Sequence, residues 1–221
     1  WLLAGIYAGA YLEGARNRGA FAIFWLLTLA GTLGTFVAGD LVSFYLAFSM
    51  MSLSAYGLVI HERTDAARRA GRIYIALAVI GESALVASFM VAATGATSLG
   101  FADVRQALAD APGAHWVLAG LVVGFGIKAG LVPLHGWLPL AHPQAPTPAS
   151  AVLSGVIVKA GILGLIRLLP DQGVWPEWSA LLVVVGLVTA GYGAIVGLTQ
   201  RDAKAVLAYS TLSQMGLVVS V

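Results

Sequence analysis

The 221-residue sequence contains no cysteine, so neither disulfides nor thiolate metal sites are available to it. Charged residues make up only 10% of the chain, whereas a soluble domain is roughly a quarter charged. The four histidines show no HxxH or HExxH spacing, so we expect no protein-bound metal. A haem motif and a dinucleotide fingerprint are also missing from the sequence. We therefore expect no cofactor and no redox centre in this chain.

Apolar residues dominate what is present. They form 59% of the chain, and its mean hydropathy is +0.89, which is the composition of a membrane protein. The net charge of +2, without a basic cluster, gives no sign of a nucleic-acid partner. The chain begins at Trp1 within apolar sequence, and its last residues, GLVVSV, stop inside an apolar run. We interpret it as an internal piece of a longer multi-pass protein.

Apolar runs of about 20 residues, the length that crosses a bilayer as a helix, recur along the chain. The runs that we interpret as spans are residues 20–39, 41–60, 73–94, 115–132, 149–169 and 178–198. Incomplete helices at the two ends raise the expected total to about seven to eight. FADVRQALAD, residues 101–110, is expected to form a short surface helix. The predicted fold class is all-α, a polytopic transmembrane helical bundle.

The distribution of Lys and Arg predicts the orientation of the spans. Eight of the twelve lie in the alternate segments 13–19, 61–72, 133–148 and 199–204. Only one lies in the opposite segments 39–41, 95–114 and 170–177. Basic residues accumulate on the cytoplasmic side of membrane proteins, so the first set of segments is expected in the cytoplasm or its topological equivalent.

The most unusual stretch is GFGIKAGLVPLHGWLPLAHPQAPTPASAVLSGVIVK, residues 124–159. It holds five of the eight prolines and both central histidines. Its first helix is rich in glycine and runs into Pro133, which removes a backbone donor and clashes with the preceding turn. We predict a discontinuous helix with its break at Gly130 and Pro133. Such a break is tolerated at membrane depth only where protein or water satisfies the freed carbonyl groups.

Three ionisable side chains lie inside predicted spans, namely Glu82, Lys128 and Lys159. A charge at the bilayer centre costs about 2.5–3.5 kcal/mol on insertion scales, and such residues often mark proton relays. A lysine can instead extend to the interface, a reach that is too short for Lys159 at mid-span but easier for Lys128. Glu82 could also be a neutral carboxylic acid bonded to a neighbouring helix. Two such groups placed close together could alternate between an ion pair and a proton-exchanging state.

His135 and His142 follow the predicted break. A histidine in such a segment can simply bond a backbone carbonyl group. As groups that titrate near neutral pH, both are also candidates for taking up or releasing protons.

Two long motifs resemble a known family. They are KAGLVPLHGWLPLAHPQAPTPASAVLSGVIVKAGILGLIR, residues 128–167, and DAKAVLAYSTLSQMG, residues 202–216. Both resemble the antiporter-like membrane subunits shared by respiratory complex I, Mrp-type sodium/proton antiporters (the MrpD-type subunit) and membrane-bound hydrogenases. Within the last group the similarity is to the large membrane subunit of hydrogenase-4 and formate hydrogenlyase.

The resemblance implies two inverted repeats of five helices, each with a broken helix. It assigns residues 1–19 to the end of a preceding helix and a loop. Residues 20–169 would form the first repeat, and residues 170–221 the truncated start of the second. Lys128 matches the lysine of the family's broken helix, and Lys159 matches the lysine on the helix that follows.

The sequence departs from the family at one site residue. The family usually has a glutamate in a WE-type motif, paired with the broken-helix lysine, on the helix that matches residues 41–60. Here LAFSMMSLSAY places Ser49 at that position. Glu82 resembles an acidic position of some complex I members, and we hypothesise that it partly replaces the missing partner of Lys128. The nearby serines could hold water or bond helix carbonyl groups, and they are Ser43, Ser49, Ser52 and Ser54.

The resemblance implies a proton-translocating subunit of a respiratory or hydrogenase-type complex in a bacterial or archaeal cytoplasmic membrane. Protons would move along a mid-membrane axis of Glu82, Lys128 and Lys159. The expected partners are the lipid bilayer and other membrane subunits, to which any oxidoreductase activity would belong. Three alternatives remain: an Mrp-type antiporter that also moves sodium, a non-conducting structural subunit, which the loss of acid at Ser49 favours, and an independent solute carrier.

Overall fold

The computed structural model describes residues 1–15, 17–111, 113–169 and 176–221, and the regular structure in these residues is helical. The α-helices, in chain order, are α1 Leu2–Tyr11, α2 Arg18–Val37, α3 Leu41–Val59, α4 Asp65–Ala93, α5 Phe101–Asp110, α6 Ala114–Ala129, α7 Trp137–Gln144, α8 Thr147–Val152, α9 Val158–Leu168, α10 Pro176–Leu198 and α11 Ala203–Val219. A 3₁₀ turn, Leu134–Gly136, precedes α7, and a π-helical turn, Leu153–Ile157, joins α8 to α9.

Six spans in the described residues are long and apolar enough to cross a membrane. They are α2, α3, α4, α6 continued by α7, α8 continued by α9, and α10. Large apolar side chains are exposed along their outer faces, as at Leu26, Ile80, Met90 and Ile195. A helix that is apolar on its outer as well as its inner face is typical of a membrane span. The predicted all-α polytopic bundle is therefore confirmed.

Aspartate side chains cap the N-termini of two of the helices. Asp40 Oδ1 accepts hydrogen bonds from the backbone N–H groups of Val42 (3.0 Å) and Ser43 (2.9 Å), and the Ser43 hydroxyl donates to Oδ2. These bonds, that of the Ser43 hydroxyl first, hold the pKa of Asp40 below its usual value. Asp202 Oδ1 accepts from Ala205 N in the same way, at 2.9 Å. Each carboxylate satisfies donors that a helix N-terminus leaves unpaired.

Two segments that the apolar runs assign to loops are helical. Helix α4 begins at Asp65, where the Thr64 hydroxyl accepts from Ala67 N at 3.0 Å, so most of segment 61–72 belongs to it. Most of segment 133–148 is likewise helical, as the 3₁₀ turn, α7 and the start of α8. An apolar run marks the part of a helix that lies in lipid, whereas the helix itself begins at its N-cap.

The connecting segments group at two opposite ends of the bundle. At one end, Asp40 forms an isolated backbone bridge with Gly100. At the other end, Lys204 Nζ donates a hydrogen bond to the carbonyl oxygen of Ala145 at 2.7 Å. Segments 39–41 and 95–114, which have few basic residues, thus meet at the first end. Segments 133–148 and 199–204, which belong to the alternate set, meet at the second end. This grouping follows the alternation that the Lys and Arg distribution predicts.

Arg167, at the end of α9, forms hydrogen bonds with carbonyl groups at the C-terminal end of α2. Its Nη1 donates to the carbonyl oxygens of Thr35 (3.1 Å) and Ala38 (2.9 Å), and its Nη2 donates to that of Phe36 (2.6 Å). The guanidinium also lies 5.1 Å from the ring centroid of Phe101. The last carbonyl groups of a helix have no partner within it, so Arg167 supplies donors that tie α2 to α9.

Glycine brings α9 close to α6. A Cβ atom added at Gly161 would lie 2.6 Å from the carbonyl oxygen of Phe125 and 2.7 Å from the backbone nitrogen of Ala129. Only a residue without a side chain fits such an approach, as is usual where membrane helices cross. This contact sets the separation of the two helices that hold Lys128 and Lys159.

Candidate functional site around Lys128

The helix that holds Lys128 is broken one residue after α6 ends. Gly130 has a φ of 77°, a left-handed conformation that glycine adopts without steric cost. The peptide bond between Val132 and Pro133 is cis. The chain then passes through the 3₁₀ turn into α7, and α6 and α7 together form one span. The predicted discontinuous helix near Pro133 is confirmed.

Side chains of the protein satisfy backbone groups at the break. Trp137 Nε1 donates to the carbonyl oxygen of Ile127 at 2.6 Å. The Thr189 hydroxyl of α10 accepts from the backbone nitrogen of Val132 at 3.0 Å. An unpaired backbone group in hydrocarbon costs several kcal/mol, on the order of a full hydrogen bond in an apolar medium. Trp137 and Thr189 therefore make the break stable at membrane depth.

Lys128 points into the bundle. Its side chain is 4% exposed, and Nζ donates to Ser52 Oγ of α3 at 2.8 Å and to the Tyr74 hydroxyl of α4 at 3.2 Å. The same Nζ lies 5.7 Å and 5.5 Å from the ring centroids of Phe48 and Tyr74, within cation–π range. Lys128 does not extend to the interface. Its amine is held between three helices.

Glu82 of α4 lies in the same polar group. Its side chain is 7% exposed, and its carboxyl group lies near the hydroxyls of Ser49 and Ser52 and interacts electrostatically with Lys128. Two atoms here, Glu82 Oε1 and Ser49 Oγ, are buried and have no hydrogen-bond partner among the described residues. The carboxyl group on α4 thus lies near Ser49 on α3.

A shallow groove of about 420 Å³ on the outer face of α3 and α4 includes Glu82 in its lining. Its walls are mostly apolar and include Tyr45, Leu53, Ser83 and Met90. Glu82 therefore lies between this groove and the buried amine of Lys128.

Lys159 has a different environment. Its side chain is half-buried, and Nζ donates to the carbonyl oxygen of Ser154 at 2.7 Å. Ser154 lies in the π-helical turn, a kind of turn that is frequent at functional sites. The structure therefore brings Glu82 and Lys128 together, whereas Lys159 bonds to its own helix.

His142 is buried at the turn between α7 and α8. Its Nδ1 lies 2.5 Å from Ser150 Oγ, so it bonds a hydroxyl and not a backbone carbonyl. Its Nε2 is buried and has no hydrogen-bond partner in the part of the chain that the structure describes. Lys204, which interacts electrostatically with His142, donates to Ala145 of the same turn.

His135 lies in the 3₁₀ turn and is partly buried. Its ring packs edge-on against Tyr192 of α10, with 4.8 Å between centroids. Its Nδ1 is buried and, over the described ranges, has no hydrogen-bond partner. His135 and His142 both lie between the break and the end of the bundle that contains Lys204.

From the sequence, Ser52 is only one of several candidate serines, and Tyr74 is not among the predicted site residues. Tyr74 and Glu82 are eight residues apart on α4, so the two side chains lie about two helical turns apart on one face. That spacing is the signal that could have found Tyr74. Throughout the described residues, no three His, Cys, Asp or Glu side chains cluster as a metal site.

The chain is similar to membrane subunits of known complexes. The family described as NADH:quinone oxidoreductase/Mrp antiporter, TM, matches residues 38–221. Hydrogenase-4 component B of Escherichia coli (strain K12) is 35% identical over 225 residues, which cover 99% of this chain and 33% of that protein. NADH-quinone oxidoreductase subunit N of Desulforudis audaxviator is 35% identical over 232 residues, which cover 99% of this chain and 45% of that protein.

A solved structure shows the same fold. In respiratory complex I from Thermus thermophilus with bound NADH, the matching chain is 28% identical with a TM-score of 0.83. The match covers 98% of this chain and 47% of that chain. This chain therefore spans between one-third and one-half of the length of these relatives. The family match extends over most of the residues, and the chain belongs to the NADH:quinone oxidoreductase/Mrp antiporter membrane family.

Proposed function

We propose that this chain is part of a proton-translocating, antiporter-like subunit of a respiratory or hydrogenase-type membrane complex. The observation that carries the proposal is the burial of Lys128 beside a helix break, with hydrogen bonds to α3 and α4 and an electrostatic interaction with Glu82. Family membership supports it, as do the names of the relatives, a hydrogenase component and a quinone oxidoreductase subunit. The proposed location of the protein is a bacterial or archaeal cytoplasmic membrane, and the end of the bundle that contains Lys204 would face the cytoplasm.

The proposed axis runs through Glu82, Lys128 and Lys159. An isolated buried charge is costly, so the charges of Glu82 and Lys128 stabilise each other while both are present. A proton that neutralises Glu82 removes the partner of the Lys128 ammonium and favours release of the lysine proton towards Lys159. His135 and His142 lie towards the cytoplasmic end and would exchange protons with that side.

The proposed repeat boundaries keep residues 20–169 in the first repeat and begin the second at residue 170. Residues 170–175, where the second repeat would start, lie outside the described residues. Support comes from two helix pairs, α2–α3 and α10–α11, whose second helices both begin at a capping aspartate, Asp40 or Asp202. These caps lie at opposite ends of the bundle, as two inverted repeats would require.

A non-conducting structural subunit is the second candidate, and Ser49 in place of the family's glutamate favours it. The position of Glu82 near Ser49 and its electrostatic interaction with Lys128 argue against it, because a carboxyl group is still available to the lysine. The two candidates differ in whether proton movement depends on the buried lysines.

The test is proton uptake into sealed vesicles by the full parent complex, with electron transfer or ion exchange followed in parallel. We expect Lys128→Ala and Lys159→Ala each to lower uptake by about 100-fold in a complex that still assembles. Arg201→Ala, at an exposed position in the turn before α11, is the matched control and should leave uptake unchanged. Normal uptake by both lysine variants would make the chain a scaffold. Repeating the assay with and without sodium tests the Mrp-type alternative.

A further inference from the structure

We propose that the hydroxyl of Ser52 is the proton-carrying link between Glu82 and Lys128, and that Tyr74 is a positioning residue that holds the amine to it. This inference rests on the proposed function and deepens it. It assigns a role to two residues that the family's charged motif does not include, on the two helices that face Lys128.

The hydrogen-bond geometry of Ser52 singles it out. Its side chain is 1% exposed, and its Oγ accepts a hydrogen bond from Lys128 Nζ at 2.8 Å. A hydroxyl that accepts in this way still has its own hydrogen to donate. The carboxyl group of Glu82 lies near this hydroxyl, and its Oε1 is buried without a hydrogen-bond partner among the described residues, so it is available to accept the hydrogen. One hydroxyl therefore lies between the base and the acid of the proposed axis.

Ser54, two residues further along α3, shows the usual alternative. Its hydroxyl contacts the carbonyl oxygen of Met50 at 2.6 Å and the Thr28 hydroxyl at 2.8 Å. Helical serines commonly bond a carbonyl group of the preceding turn in this way, with no contact to a titratable side chain. The bond of Ser52 to Lys128 is thus a property of its place in the bundle and not of helical serines in general.

Tyr74 is the second hydrogen-bond partner of the Lys128 amine. Its hydroxyl donates to the carbonyl oxygen of Ser52 at 2.7 Å, so it can only accept from Lys128 Nζ, at 3.2 Å. The Tyr74 ring packs edge-on against Trp137 at 5.1 Å, and Trp137 bonds Ile127 at the break. Tyr74 therefore orients the amine towards Ser52 and ties that orientation to the broken helix.

The transfer step needs no further reactant. The Lys128 ammonium gives one proton to Ser52 Oγ as the Ser52 hydroxyl gives its own hydrogen to the Glu82 carboxylate. One N–H and one O–H bond break, and two O–H bonds form. The products are a neutral amine, a neutral hydroxyl and a carboxylic acid, so the net charge of the group is zero before and after. Rotation of the hydroxyl then restores the starting geometry. The reverse step reloads Lys128.

The position of Ser52 accounts for the departure at Ser49. The two residues are three apart on α3, so they lie on neighbouring positions of one helix face. Where the family motif would place a carboxylate on α3, this chain places a hydroxyl beside Lys128 and a carboxylate across on α4. The link through Ser52 lets a carboxyl group on a different helix serve the same lysine.

The experiment measures proton uptake by the full parent complex in sealed vesicles. We expect Ser52→Ala to lower the rate by about 100-fold, the contribution of one positioned proton-transfer group. Ser52→Thr keeps the hydroxyl and should retain uptake. Ser54→Ala, the matched control on the same helix, should leave uptake unchanged. Tyr74→Phe should lower uptake less than Ser52→Ala does, because it removes an orienting contact and no carrier.

A second measurement separates a relay from a structural role. Residues that act as one unit are non-additive, so Ser52→Ala combined with Glu82→Gln should be no slower than Glu82→Gln alone. A further loss in the double variant would overturn the inference, as would normal uptake in Ser52→Ala or failure of Ser52→Thr in an assembled complex. Normal uptake in Glu82→Gln and Lys128→Ala would instead overturn the proposed function itself.

Discussion

Lys128 and Lys159 are both lysines within membrane spans, yet their burial and hydrogen-bond partners differ. Lys128 is buried and bonds side chains of two other helices, Ser52 and Tyr74. Lys159 is half-buried and bonds the carbonyl oxygen of Ser154 in its own helix. The first lysine is therefore sensitive to groups on neighbouring helices. The second depends on the shape of the turn before it.

This difference has a chemical consequence. The surroundings of Lys128 include Glu82, a group that can change its charge by binding a proton. The partner of Lys159 is a carbonyl group, which has a fixed dipole and cannot change its charge. Under the proposed function, proton transfer at Lys128 should therefore be coupled to the state of Glu82. Proton transfer at Lys159 should respond to movement of the π-helical turn.

The largest expected effect tests that coupling. We expect Glu82→Gln and Lys128→Ala each to lower proton uptake by about 100-fold, and the double variant to be no slower than either single variant. Glu82→Gln combined with Lys159→Ala should be slower than either single variant, because Lys159 lies outside the Glu82 group. The measurement is the rate of proton uptake into vesicles, normalised to assembled complex.

If the second pair also proves non-additive, Lys159 belongs to the same unit and the contrast between the two lysines is wrong.

The next effect concerns the space around each amine. Lys128→Arg should lower uptake strongly, though by no more than Lys128→Ala does, because a planar guanidinium with five donors cannot replace a compact ammonium between Ser52 and Tyr74. Lys159→Arg should retain most uptake, since its side chain is half-buried and a longer cation still reaches Ser154. Uptake and assembly of both variants in the parent complex provide the check. Comparable loss in the two variants would contradict the difference in packing.

Much of this contrast could not be predicted from the sequence. Apolar runs located the spans, and Gly130 with Pro133 located the break, because both effects are local to the chain. Which face of α3 and α4 meets Lys128 depends on the rotation of each helix about its axis, and side-chain packing sets that rotation. The spacing of Tyr74 from Glu82 places both on one face of α4, but the contact of Tyr74 with Lys128 depends on that rotation. For the same reason, Ser52 could not be separated from the other serines of α3.

A substitution at the contact between α6 and α9, the helices that hold the two lysines, should affect function less but should clearly lower stability. Gly161→Val should lower the free energy of unfolding by about 1–3 kcal/mol, because its side chain would overlap the backbone of α6 at Phe125 and Ala129. Gly191→Ala, on α10 with open space around its Cβ, is the control. The check is thermal unfolding of the full-length protein in detergent. An unchanged midpoint for Gly161→Val would show that α6 and α9 are not in close contact.

The smallest effect is expected at the start of α3, far from both lysines. Asp40→Ala removes the side chain that caps the helix, so the unfolding midpoint at neutral pH should fall by less than in Gly161→Val. The pKa of Asp40 is lower in the folded protein than its unfolded value of about 3.9, because the Ser43 hydroxyl and then the Ser43 amide bond the charged form. The cap therefore stabilises the fold above that pH, and its contribution is lost as the pH falls through the folded pKa. The difference between Asp40→Ala and wild type should shrink accordingly in acid. A difference that stays constant with pH would mean that the charge of Asp40 has no part in capping α3, and that its contribution comes from packing alone.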